Sequence, residues 1–162
     1  MTIAEHLLVL ILSVVLNQGI ALWLTRWREK KDAAGRINAD ISKLIDISLQ
    51  YPFLQNCDFL SKYEEQECIP DKSNQEEVDR FDRYQFFCCF VSNLMEDLYA
   101  HCEGDEEKMY GFVHYQEIMF THRFWWSISS AEEPAYNAQK GFGEFVVRQI
   151  KEADEREQRR CA

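Results

Sequence analysis

The sequence predicts an all-α protein, with one N-terminal transmembrane helix followed by a compact cytoplasmic bundle of about four main helices. Three observations carry that reading. An uncharged run extends from Leu7 to Leu24, the segments after it place apolar residues at helical spacing, and no stretch alternates like a strand for long. A chain of 162 residues has room for one span and one domain able to bury a real core, and no repeat or low-complexity tract interrupts it.

The run from Leu7 to Leu24 is 18 residues long. At ~1.5 Å per residue it covers about 27 Å, close to the ~30 Å of a bilayer's hydrocarbon core. A cleaved signal peptide wants a basic start and a small-residue cleavage site, whereas only Glu5 and His6 lie just ahead of this run and bulky Leu22-Trp23-Leu24 closes it. The span is therefore expected to stay. The next segment carries Arg26, Arg28, Lys30, Lys31 and Arg36 against Glu29 and Asp32, a net charge of +3. Positive residues stay inside, so the N-terminus is expected outside, and the five basic side chains are candidates for lipid headgroups. The expected organisation is residues 1–25 as an N-out span, 26–36 as a basic juxtamembrane segment and 37–162 as a cytoplasmic helical domain.

From Ala33 the chain reads as a helix to about Gln50, with Ile37, Ile41, Leu44, Ile45 and Leu49 sharing a stripe until Pro52 ends it. The stretch from Tyr51 to Glu77 loses periodicity and reads as a long connection, with a short helix around Cys57–Tyr63. The strongest periodic element follows. Val78, Phe81, Tyr84, Cys88, Val91, Met95, Leu98 and Cys102 line one side, and Phe86, Phe87, Phe90 and Leu94 make a second side apolar. Gly104 and Asp105 break it, and a helix from Glu106 to Trp125 comes next. After a break at Ser127–Pro134, a last helix is expected from about Ala135 into the charged tail.

Residues 37–162 hold 13 basic and 25 acidic side chains, a net −12 that disfavours a general nucleic-acid surface, and duplex DNA binding is not expected. The six cysteines are expected as reduced thiols in a cytoplasmic domain. No C-x-x-C, H-x-x-x-H or H-E-x-x-H pattern occurs, so the histidines read as structural, with no metal and no cofactor expected. No nucleophile elbow or phosphate-binding glycine loop occurs either, and the chain reads as a non-enzyme. Glu96 and Glu117 sit within apolar helices and are expected to pair with Arg83, Arg123 or His122. The ligand-binding candidates are Arg80, Arg83, Tyr84, Arg123, Trp125 and Trp126, because guanidinium forks suit phosphates and exposed rings suit stacked bases. Packing of the tryptophans in the core is the competing reading.

Asn17 and Gln18 sit side by side in the uncharged run. An unpaired amide in hydrocarbon is costly, and a lone span finds a partner for it only in another copy of itself. Ser13 and Asn17 are one turn apart, with Gln18 beside them, so these three residues are the candidates for a pore lining or an oligomer axis.

A short N-out anchor with these amides, a basic exit and a small all-helical domain resembles the single-span membrane effectors of bacterial anti-phage defence systems, the Hailong-type effector among them. The resemblance is one of organisation over the whole chain. It implies a homo-oligomer, tetramer or larger, in the bacterial inner membrane with a periplasmic N-terminus, and an oligonucleotide or nucleotide signal supplied by a partner enzyme. It implies no catalytic residues, and the acidic domain departs from what a nucleic-acid ligand favours. The expected function is a pore-forming effector whose cytoplasmic domain senses a ligand or partner. The alternative is a membrane-tethered adaptor that binds a cytosolic protein through the acidic Cys57–Asp79 segment or the tail.

Overall fold

Capping residues and glycines set the element boundaries. The computed structural model describes residues 3–56, 59–60, 73–123, 125–126 and 141–161, without the side chains of 3–11, 157 and 159–161. The elements are α1 (Ile3–Gln50), a 3-10 turn (Pro52–Gln55), α2 (Gln75–His101), α3 (Glu106–Tyr110), α4 (Tyr115–Thr121) and α5 (Phe142–Cys161). No strand occurs among the described residues, in line with the all-α expectation. The chain divides into two units, Met1–Arg36 and Ile37–Ala162.

In the first unit the described side chains from Leu12 onward are helical and mostly exposed, including Leu12, Leu16, Leu22 and Trp23 at 60% or more. Among the described residues no helix is long and apolar enough to cross a membrane. The expected span is thus not supported there; Leu7 to Ile11, which open the uncharged run, are among the residues whose side chains are not described.

In the second unit Asn74 caps α2, its side-chain oxygen accepting from the Glu77 N–H at 3.3 Å, and Glu76 and Glu77 complement the helix dipole in the first turn. At the other end Gly104 takes φ +75° and its N–H reaches the Tyr99 carbonyl at 2.9 Å, closing the helix as a left-handed cap does. Gly141, with φ +90°, precedes α5; a Cβ on Gly104 or Gly141 would stand about 3 Å from the Tyr99 hydroxyl (3.0 and 2.9 Å). Glycine at both points lets the chain turn against one ring.

The core follows the expected face of α2: Tyr84, Cys88, Val91, Met95, Leu98 and Cys102 are buried, as are Phe87 and Leu94. Met109, Trp126, Phe142 and Val146 meet them at 0% exposure. Three expectations need correction. The helix foreseen from Glu106 to Trp125 is broken, because the Gly111 N–H bonds back to Glu107 and Lys108 and the chain then turns sharply at His114, where the Tyr115 N–H reaches the Val113 carbonyl at 2.8 Å. The stripe on α1 is narrower than its apolar residues suggest: Ile37 and Leu44 are buried, but Ile45 and Leu49 are 54% and 74% exposed. Phe86 points outward at 77% exposure while its neighbours Phe87 and Cys88 face in. Of the short helix expected at Cys57–Tyr63 only Phe59 and Leu60 are among the described residues, and they are helical; the expected start of the last helix, 135–140, lies outside the described residues.

Candidate functional site

The ligand candidates foreseen on α2 divide between inside and outside. Arg80 and Arg83 are exposed, and each lies over a ring from the segment that follows α1. The Arg83 guanidinium sits 4.9 Å from the centroid of Tyr51, and that of Arg80 lies 5.8 Å from Phe53. Such stacking holds a guanidinium through the ring's quadrupole and leaves its N–H edge for an anion. Arg80 also bonds Glu76 at 2.8 Å, an exposed i, i+4 pair that adds only a few tenths of a kcal/mol. Beside them Phe53 and Phe59 stack edge to face at 5.1 Å, and Phe59 continues to Tyr84 at 5.7 Å. The outer cations are thus mounted on an aromatic chain that leads into the core.

Tyr84, Trp125 and Trp126 belong to that core, at 3%, 8% and 0% exposure. Burial leaves these rings no free face for a base to stack on. Trp125 donates its indole N–H to Gln85 at 2.9 Å, which ties the segment after α4 to α2. Arg123 turns elsewhere, lying 3.9 Å from Asp154 of α5 and 4.6 Å over Phe120, so it does not join Arg80 and Arg83. The pairing foreseen for Glu96 and Glu117 is replaced as well: Arg83 faces Tyr51, Arg123 faces Asp154, and His122 is enclosed by rings. Burial and neighbouring Asp97 push the Glu96 carboxyl up from its usual range.

His122, buried to 1% exposure, lies at the inner end of this aromatic chain. Its Nδ1 faces the Tyr84 hydroxyl at 3.4 Å, its ring stands 5.3 Å from Phe87, and Nε2 has no hydrogen-bond partner among the described residues. Burial pulls its pKa down from 6.5 to about 4, so the ring is neutral at physiological pH. Cys88, also beside Tyr84, is pushed up by burial, which makes it an unreactive core thiol. A proton-transfer role would need access from solvent that neither group has.

A second polar cluster joins α3, α4 and α5. Glu106 accepts from the Tyr115 hydroxyl at 2.9 Å and from Gln149 at 3.2 Å, and pairs with Arg148. Sequence spacing gave no sign of this hub, whose members lie up to 43 residues apart. Burial and the Glu106 carboxylate hold the Tyr115 hydroxyl protonated, so the cluster serves as a clasp. No group of three or more His, Cys, Asp or Glu side chains among the described residues is placed to hold a metal ion.

Comparison with protein-family models, curated proteins and solved structures finds no match.

In the first unit Ser13, Asn17 and Gln18 lie on α1 and are exposed, among exposed Leu12, Leu16 and Ile20. Arg26, Arg28, Lys30, Lys31 and Arg36 are exposed too, and Lys31 lies 5.4 Å over Trp27.

Proposed function

We propose that this chain is a homo-oligomeric, single-span inner-membrane effector whose cytoplasmic helical domain senses a ligand or partner and gates a pore. The observation that supports this most is the solvent-facing apolar wall of the first unit. Leu12, Val15, Leu16, Ile20 and Leu22 are each at least half exposed, and a surface of that kind marks contact with lipid or with another chain. Together with Leu7 to Ile11 it makes the uncharged run long enough to span. Trp23, Trp27 and the five basic residues would sit at the cytoplasmic interface and hold anionic headgroups.

Within the membrane, Asn17 and Gln18 would be satisfied by the same residues of neighbouring copies, with Ser13 one turn away. Four or more copies would bring that polar ring around a narrow water path. On the cytoplasmic side Arg80 and Arg83, stacked on Phe53 and Tyr51, are the groups we assign to an anionic ligand such as an oligonucleotide or nucleotide signal. A ligand there gates only if it binds the open and closed assemblies unequally. The test is ion leak across vesicles that contain the full chain. Asn17→Leu with Gln18→Leu should abolish it at unchanged protein level, whereas undiminished leak would remove the amides from the path.

A second reading, a membrane-tethered helical adaptor, is favoured by one observation: the second unit exposes Leu49 and Phe86 at 74% and 77%, apolar surface of the kind a protein partner covers. Under it the double leucine variant would keep its function and the apolar wall would serve as an anchor only.

A further inference from the structure

The first turns of α2 decide which of its acids reach its two outer arginines. Residues four apart are neighbours on a helix, and an acid placed ahead of a basic residue is the favourable order for a pair. By that spacing Glu76 is the partner of Arg80, and Asp79 is the partner of Arg83. Of these two pairs the first forms and the second does not. Glu76 takes Arg80 at 2.8 Å, whereas Asp79 accepts from the Gln75 side-chain amide, also at 2.8 Å. Arg83 stacks on Tyr51 instead and makes no ion pair among the described residues. The two guanidinium groups thus share a mounting, each over a ring, and differ in occupancy: a carboxylate already holds Arg80.

We infer that Glu76 is a built-in competitor for the anion, and that Gln75 is a positioning residue that keeps Asp79 away from Arg83. One phosphoryl group of a ligand pairs with Arg83 without breaking a contact of the fold. A second must displace Glu76 from Arg80. Arg80 and Arg83 are three residues apart and so adjacent on the helix surface, which suits two successive phosphoryl groups of one ligand. The pair to be displaced is exposed and weak, so Glu76 tunes the affinity without closing the site. This inference rests on the anionic ligand proposed above and adds the number of phosphoryl groups it presents and the residues that set its affinity.

The test is calorimetric titration of the full chain, in neutral detergent at low salt, with inorganic tripolyphosphate and with orthophosphate. The basic residues of the first unit attract anions as well, so the quantity read is the binding that Arg83→Ala removes. Glu76→Gln should tighten tripolyphosphate at least about twofold and leave orthophosphate nearly unchanged. Glu77→Gln removes the same charge one residue further on and should gain less. Gln75→Ala frees Asp79 for Arg83 and should weaken both anions about twofold. A Glu76→Gln gain that is equal for the two anions or no larger than that of Glu77→Gln, or unchanged binding by Gln75→Ala, would overturn this arrangement and leave the anion site standing. No Arg83-dependent binding of either anion would overturn both.

Discussion

Acidification should weaken the second unit through one residue, His122. Its ring is buried against Tyr84 and Phe87, no charged group among the described residues shifts it, and burial lowers its pKa from 6.5 to about 4. The folded pKa lies below the unfolded one, so the unfolded chain takes up the proton first. Stability is complete above about pH 6.5, falls as the pH drops towards 4, and levels off below that. A gap of about 2.5 pH units at ~1.4 kcal/mol each corresponds to about 3 kcal/mol in total, of which about 2 kcal/mol is lost by pH 5. Against a usual domain stability of ~5–15 kcal/mol this is a large share. Urea unfolding followed by helical circular dichroism at pH 7.5 and pH 5 measures it, with His122→Leu as the reference. Glu96, pushed up by burial, acts in the opposite sense near the carboxylate range and is common to both proteins. If native protein and His122→Leu lose stability equally between these two pH values, the buried-histidine argument is refuted.

Gly104→Ala should lower stability by ~1–2 kcal/mol, because φ +75° is a left-handed conformation and the new methyl would press on the Tyr99 hydroxyl; a drop in thermal midpoint of several degrees would show it. Among the thiols of α2, Cys89 is exposed and should react with maleimide at once. Cys88 should react only on unfolding, since burial both hides it and holds it protonated. Trp126→Ala, at a site with 0% exposure, should cost ~3–5 kcal/mol in urea unfolding.

Much of the fold was readable from the chain because α2 carries its information locally. Its apolar period named Tyr84, Cys88, Val91, Met95, Leu98 and Cys102 correctly, and Gly104 marked its end. The width of a buried face is a different matter, since it depends on the neighbouring helices. Ile45, Leu49 and Phe86 fit the helical period as well as their buried neighbours do, yet no element among the described residues covers them. The break at Gly111 was missed for a related reason: a glycine inside an otherwise helical pattern is often tolerated, and the sharp turn at His114 has no strong residue signature. At the candidate site, residue type suggested that arginines and tryptophans would meet. Burial separated them, because Trp125 and Trp126 pack into the core at 8% and 0% exposure, while Arg123 found Asp154, far along the chain. The Glu106 clasp was invisible in the sequence for the same reason of distance along the chain.

The claim on which the functional account depends is that several copies share one axis at Asn17 and Gln18. Its most direct test is the light-scattering mass of the detergent-solubilised full chain, native and with Asn17→Leu, Gln18→Leu. The account predicts a discrete tetramer or larger ring for the native protein and a smaller or mixed assembly for the variant. A native monomer at realistic membrane densities would contradict it.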